Sequence, residues 1–235
     1  MRKVVSVLLC VSLLFIFGCG KKEVAPVKKL LTPQEWSSTG IYQLQPPPSG
    51  ADIAILHTTM GDIKIRFFEQ EAPKAVKNFI TLSNQGYYKD NIFFKVENDG
   101  YILTGDRTGS GNDGMSSYIA PFEDEFSPKL HAYRGAVMMN HVGANGNLSQ
   151  FSIMQCKNVS KMHLDDMKTL NYPQEVQDTY TKLGGVPLLD NKTTVFGQVI
   201  EGMDVVDKIA SVPVDENQKP KTPIKMTSIE IVKMP

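Results

Sequence analysis

The residues best suited to chemistry gather in one stretch, 135–153, which reads GAVMMNHVGANGNLSQFSI. It begins as an apolar run, Ala136-Val137-Met138-Met139, breaks at Gly143-Ala144-Asn145-Gly146-Asn147, and resumes as a strand over 149–154. Gly and Asn tolerate positive φ, so the break reads as a tight, shaped turn. Asn145, Asn147, Ser149 and Gln150 set short hydrogen-bonding groups between two apolar edges. A surface of that kind offers an extended peptide backbone-like partners beside greasy niches; the same pattern also suits an ordinary strand–loop–strand. Other chemistries are weakly supported. His57, His131, His141 and His163 have no ligand-like spacing, and His163 with Asp165 and Asp166 is a poor metal candidate. No Gly-rich phosphate loop has the expected spacing, and no Ser-His-Asp order can be argued. Neither a cofactor nor a metal is expected.

The elements that would hold this stretch follow from hydrophobic period. Residues 52–59 alternate, 60–62 turn, and Ile63, Ile65 and Phe67 return, which makes a hairpin. Residues 72–85 carry Ala75, Val76, Phe79, Ile80 and Leu82 at helical period, with Pro73 suited to the first turn and Gly86 to the end. Strands are predicted over 92–96 and 101–103 around the polar loop 97–100. A Gly/Ser/Asn-rich loop covers 108–117. Helices are predicted over 162–170, over 173–183 (ended by Gly184-Gly185) and over 202–210, with a closing strand over 224–232. Many strands with few helices read as a closed antiparallel barrel.

Composition bounds the rest. The chain has 235 residues, 41% apolar and 21% charged, enough for one core with appendages. Lys+Arg and Asp+Glu both number 25, and no basic run exceeds two residues, so nothing supplies the field that nucleic acid requires. Arg2-Lys3 precede an apolar run, 4–17, too short for an ordinary spanning helix; this is a secretory address. Ile16-Phe17-Gly18-Cys19 resembles a bacterial lipobox, with Phe17 atypical, and implies cleavage before Cys19 and lipidation of its thiol; a plain signal peptide cut nearby is the alternative. Residues 1–18 are then the signal, and their loss leaves 23 basic against 25 acidic residues, a net charge of −2. Cys10 leaves with the signal and Cys156 stands alone, so no disulfide framework is expected; a buried, inert thiol suits Cys156. Residues 19–50 read as a tether, with Pro46-Pro47-Pro48 favouring extended geometry and with Trp36 and Tyr42 either docked or exposed.

Three segments, in order, resemble the cyclophilin family of peptidyl-prolyl isomerases. Within 135–153, Gly135, Met139, Gly143, Asn145, Asn147, Ser149, Gln150, Phe151 and Ile153 match the family signature without a gap. Residues 86–96, GYYKDNIFFKV, with Thr104-Gly105-Asp106, form the second segment, and 189–207, from Leu189-Asp190 through Val195-Phe196-Gly197, the third. The resemblance implies a mostly β domain over 51–235: a cyclophilin-like closed eight-stranded antiparallel barrel capped by two helices. Residues 157–187 are then an extra helical insertion, similar to that of exported Gram-positive cyclophilin lipoproteins.

The resemblance also assigns the site. The family's catalytic arginine falls on Lys95 and its second glutamine on Gln150. Substrate-binding positions fall on Tyr101, Leu103, Met139, Asn140, His141, Ser152, Leu188, Leu189 and Thr193. Lys95 keeps the charge but is also readable as a solvated strand-end lysine, and Gln150 as a tie for the adjacent loop. Leu103 cannot hydrogen-bond the cation as the family's glutamine does, and Ser152 and Thr193 make the proline pocket smaller and more polar. Two functions follow. One is isomerisation of Xaa-Pro bonds in exported proteins by a monomer held on the extracytoplasmic face of a membrane through a lipid. The other is a weak or silent domain that binds peptides as a chaperone or adaptor.

Overall fold

The computed structural model describes residues 42–141 and 143–235. The signal segment, Cys19 and Trp36 lie outside the described residues. Nine short strands are present among them: β1 (Asp52–Thr58), β2 (Gly61–Phe67), β3 (Asn91–Ile92), β4 (Lys95–Val96), β5 (Tyr101–Thr104), β6 (Ala136–Met139), β7 (Phe151–Met154), β8 (Val195–Glu201) and β9 (Lys225–Lys233). They form one antiparallel ladder in the order β3-β9-β1-β2-β8-β6-β7-β5-β4. β1 and β2 are the expected hairpin, in register from Ile53↔Arg66 to Thr58↔Gly61.

β3 and β4 stand at opposite ends of that ladder, yet only Phe93 and Phe94 separate them in the chain. The Phe93 amide donates to Ile224 O at 3.0 Å, and the next amide, Phe94, donates to Leu103 O at 3.1 Å. Consecutive residues thus bond to opposite neighbours, and the segment 91–96 joins the two edges. Counted as one strand, it brings the nine pieces to the eight-stranded barrel that was expected. Among the described residues, closure leaves no free sheet edge on which another chain could template.

Two helices pack on this barrel: α1 (Pro73–Asn84) and α4 (Met203–Ala210). α1 buries Ala75, Val76, Phe79 and Leu82, four of the five residues its period marked; the fifth, Ile80, is partly buried against the same core. The Phe79 ring meets those of Phe67, Tyr88, Phe151 and Phe196 at centroid distances of 5.3–5.7 Å. Burial of each such ring contributes about 1.5–3 kcal/mol. The first turn of α1 has no side-chain cap of its own. Instead, Glu125 accepts from the Lys74 and Ala75 amides at 3.0–3.1 Å, so a carboxylate meets the positive end of the helix.

The insertion forms α2 (Lys161–Thr169) and α3 (Gln174–Leu183), with Ser160 capping α2 through the His163 amide at 3.2 Å. It clamps onto the barrel through a separate cluster of Tyr133, Met167, Tyr172, Val176 and Tyr180. Asp190, just beyond it, accepts from the Tyr180 hydroxyl and the Ala132 amide, each at 2.7 Å, and lies 2.9 Å from His131 Nδ1.

The last part of the expected tether belongs to the domain. Gln43 is 0% exposed; its amide bonds both the His131 backbone and the Gln198 side chain. Tyr42 docks, its hydroxyl donating to Glu71 at 3.1 Å, and Arg66 donates to the Tyr42 and Gln45 carbonyls. Gln43's partners are 88 and 155 residues away in the chain, so local sequence carries no trace of this docking.

Candidate active site

One row of paired residues crosses the sheet: Lys95 on β4 opposes Leu103 on β5, which opposes Ser152 on β7, which opposes Met138 on β6. Directly opposed residues share a face, and their chain neighbours take the other. Val96, Ile102, Ile153, Val137 and Met139 all belong to the barrel core. The Lys95–Met138 row is therefore on the outer face.

At the Lys95 end of that row lies an open groove of about 550 Å³. Lys95, Tyr101, Leu103, Asn140, His141 and Gln150 line it, together with Phe94, Gly109, Ser110, Gly111, Asp215, Asn217 and Lys219. Six of the predicted residues thus come together. Lys95 Nζ lies 5.7 Å from the centroid of the Tyr101 ring. Among the described residues, no carboxylate forms an ion pair with it.

The Gln150 side chain is a tie. Its Nε2 donates to the Gly111 and Asp113 carbonyls at 3.0 and 2.9 Å, and its Oε1 accepts from Asn140 Nδ2 at 2.9 Å. Both amide protons are spent within the fold, leaving one lone pair on the oxygen. His141 Nδ1 lies 2.5 Å from Gly143 O, and Nε2 lies 3.3 Å from Asp124 Oδ1, so this ring pins the turn it enters. The turn has the predicted geometry, with Gly143 at φ 76° and Asn145 at φ 59°.

Asp106 builds the groove wall that Gln150 ties. Its buried carboxylate accepts from the backbone amides of Thr108, Gly109, Ser110, Gly111 and Asp113 and from the hydroxyls of Thr108 and Ser110. The chain turns into this loop at Gly105, φ 92°, where any Cβ would collide with the Ser149 carbonyl. Burial alone would raise the Asp106 carboxyl; the hydrogen bonds from Thr108, Asp113 and Gly111 outweigh it and hold it below its ordinary value. Its lowered folded value means that its contribution is complete above about pH 4 and is lost as pH falls through the folded value. Amide protection at residues 108–113, measured against intrinsic exchange at each pH, is expected to hold down to about pH 4 and to fall below it. Asp106→Asn is expected to quicken the same amides at neutral pH by about tenfold or more, the equivalent of roughly 1.4 kcal/mol.

The remaining predicted residues lie elsewhere. Met139 is 2% exposed and points into the barrel core; strand parity puts Met138 on the outer face instead. Ser152 is 7% exposed, between Leu103 and Met138 in the row. Thr193 turns its hydroxyl to Met138 Sδ at 3.5 Å and Leu189 O at 3.4 Å. Leu189 packs on the outer apolar cluster of Met138 and Val195. Leu188, 54% exposed, borders a separate apolar depression of about 240 Å³ against α2.

One wall escaped the sequence reading. Asp215, Asn217 and Lys219 face Lys95 from a loop pinned by the Val96 amide, which donates to Gln218 O at 2.9 Å. Lys219 Nζ donates to Gly109 O at 3.3 Å, bridging the two loops. The Asp215 carboxylate takes the amides of Asn217 and Lys219 at 2.8 and 2.9 Å. That Asx turn was the available local signal, but nothing nearby in sequence says that it reaches β4.

Comparison with known proteins agrees with this geometry. The family described as "Cyclophilin type peptidyl-prolyl cis-trans isomerase/CLD" matches residues 53–231. A Staphylococcus saprophyticus protein named "Putative peptidyl-prolyl cis-trans isomerase" is 40% identical over 195 residues, covering 83% of this chain and 99% of that protein. A Staphylococcus epidermidis protein of the same name is 40% identical over 177 residues, 75% of this chain and 90% of its own. A Cryptosporidium parvum cyclophilin-type isomerase, crystallised in the presence of the dipeptide Ala-Pro, superposes with TM-score 0.63 at 30% identity. That match covers 77% of this chain and 99% of the other. The same protein without the dipeptide gives TM-score 0.64 at 31% identity. A closed barrel of this strand order and a family match across nearly all of it lead to one assignment: the chain belongs to the cyclophilin-type peptidyl-prolyl cis-trans isomerases.

Proposed function

We propose that this chain isomerises Xaa-Pro bonds in exported proteins at a membrane surface, with Lys95 as the catalytic cation. The observation that carries the reading is the shared lining of one groove by Lys95, Tyr101, Leu103, Asn140, His141 and Gln150. Amide resonance sets a barrier of roughly 20 kcal/mol to rotation about such a bond. No covalent intermediate is needed; the site has only to bind the twisted bond more tightly than either planar form. On twisting, the prolyl nitrogen regains its lone pair and accepts a proton donor. Lys95 donates to that nitrogen. The remaining lone pair of Gln150 Oε1 accepts from a client amide, and Tyr101, Leu103 and Phe94 provide the apolar contact.

Lys95→Ala in a proline-isomerisation assay tests the chemistry. The address is tested separately. Lipidation at Cys19 is expected to place the mature chain in the membrane fraction with a diacylated N-terminal cysteine detectable by mass spectrometry. Cys19→Ser is expected to release it. An unmodified wild-type chain, cut elsewhere and recovered free, contradicts the anchor. A second reading, a peptide holder without turnover, is favoured by one observation: both amide protons of Gln150 are already committed to the chain's own loop.

A further inference from the structure

We propose that Tyr101 is the positioning residue of this site, its ring face holding the Lys95 ammonium over the groove. The inference rests on the reading of Lys95 as the catalytic cation. Nζ stands 5.7 Å from the ring centroid, inside the roughly 6 Å range of cation–π attraction. A lysine ammonium is a point charge on a flexible four-carbon stem and needs an external restraint to act as an aimed donor. Across the groove, the Asp215 carboxylate is engaged by the Asn217 and Lys219 amides and forms no ion pair with Lys95. Leu103, directly across the ladder, is apolar. Lys219 carries the same charge and is engaged by the Gly109 carbonyl.

The backbone that carries the ring is well fixed. Tyr101 opens β5, pairs with Met154 on β7, and its carbonyl accepts from the Glu97 amide at 2.9 Å across the turn that joins β4 to β5. It lies two residues before Leu103, hence diagonal to Lys95 on the same face, a separation long side chains span. An aromatic face has a chemical advantage over a carboxylate here. It attracts the ammonium without accepting any N–H as a strong hydrogen bond, so the donors stay available to a prolyl nitrogen. A carboxylate in the same place would bind those protons and neutralise the charge.

Tyr101→Phe keeps the ring face and Tyr101→Leu removes it. Each is compared with the parent and with Lys95→Ala in a proline-isomerisation assay, alongside the NMR resonances of the Lys95 ε-methylene. The Phe variant is expected to stay within about twofold of the parent and to keep the ring-current shift of that methylene. The Leu variant is expected to lose about tenfold in kcat, a larger change than any in KM, with the ring-current shift abolished. A Leu variant as active as the parent overturns the inference. So does a Leu variant that loses activity while the Lys95 resonance stays put, since Tyr101 then acts by packing alone. If Lys95→Ala falls and Tyr101→Leu does not, only the positioning role fails. If the parent has no turnover, the catalytic reading of Lys95 fails with it.

Discussion

Lys95→Ala is expected to lower kcat/KM for Xaa-Pro isomerisation by about a hundredfold or more, while peptide affinity stays within about threefold. The asymmetry follows from when the ammonium acts. A planar prolyl amide has its nitrogen lone pair delocalised, so the ground state gives Lys95 little to bind; the twisted bond does. Removal of one preorganised donor of this kind costs about 10²–10³ in rate, and an interaction made only in the transition state is lost from kcat and not from binding. Lys95 suits the role because, among the described residues, no carboxylate forms an ion pair with it and the group its ammonium meets is the Tyr101 ring. A coupled proteolytic assay measures the rate, and fluorescence polarisation of a labelled proline peptide measures the affinity. Equal losses in both would mean that Lys95 merely holds the client.

Asp190→Ala is expected to destabilise the domain by about 3–5 kcal/mol, the range for stripping one partner from a buried charged cluster. The carboxylate is almost wholly buried, and three groups converge on it: the Ala132 amide, the Tyr180 hydroxyl from α3 and the His131 ring. Burial and the adjacent carboxylate push the Tyr180 hydroxyl well above its ordinary value, so it remains a donor at any pH the protein meets. With alanine at 190, that hydroxyl and the Ala132 amide lose their acceptor in a dry site, each costing about 1–3 kcal/mol. Tyr180 and Ala132 belong to the insertion and the barrel respectively, so the variant should loosen the two together. Urea unfolding measures the change; a midpoint within error of the parent's would show that the cluster is incidental.

Legibility in the sequence divided along physical lines. Features set by neighbouring residues were readable: the period of 2 in the β1–β2 hairpin, the period of 3.6 in α1, and the Gly/Asn turn at 143–147. Features set by long-range pairing were not. Gln43 finds its partners at His131 and Gln198 across the fold, so the tether read to 50 turned out docked from Tyr42. Met139 matched the family signature, yet parity along β6 turns it inward and sends Met138 out. Lys95 and Gln150, 55 positions apart in number, line one groove because β4 pairs with β5 and β5 with β7. The loop carrying Asp215 and Lys219 closes the groove only because β3 and β4 bond left and right in turn, an arrangement no local pattern encodes.

The account stands most directly on one magnetisation-exchange NMR experiment, in which the purified chain is added at substoichiometric concentration to a proline peptide. Lys95 in the groove predicts exchange cross-peaks between the cis and trans proline resonances at mixing times far shorter than the tens of seconds of the uncatalysed process. Line broadening that reports binding, with the cis–trans exchange left at its uncatalysed rate, would contradict it and leave a barrel that grips proline peptides without turning them.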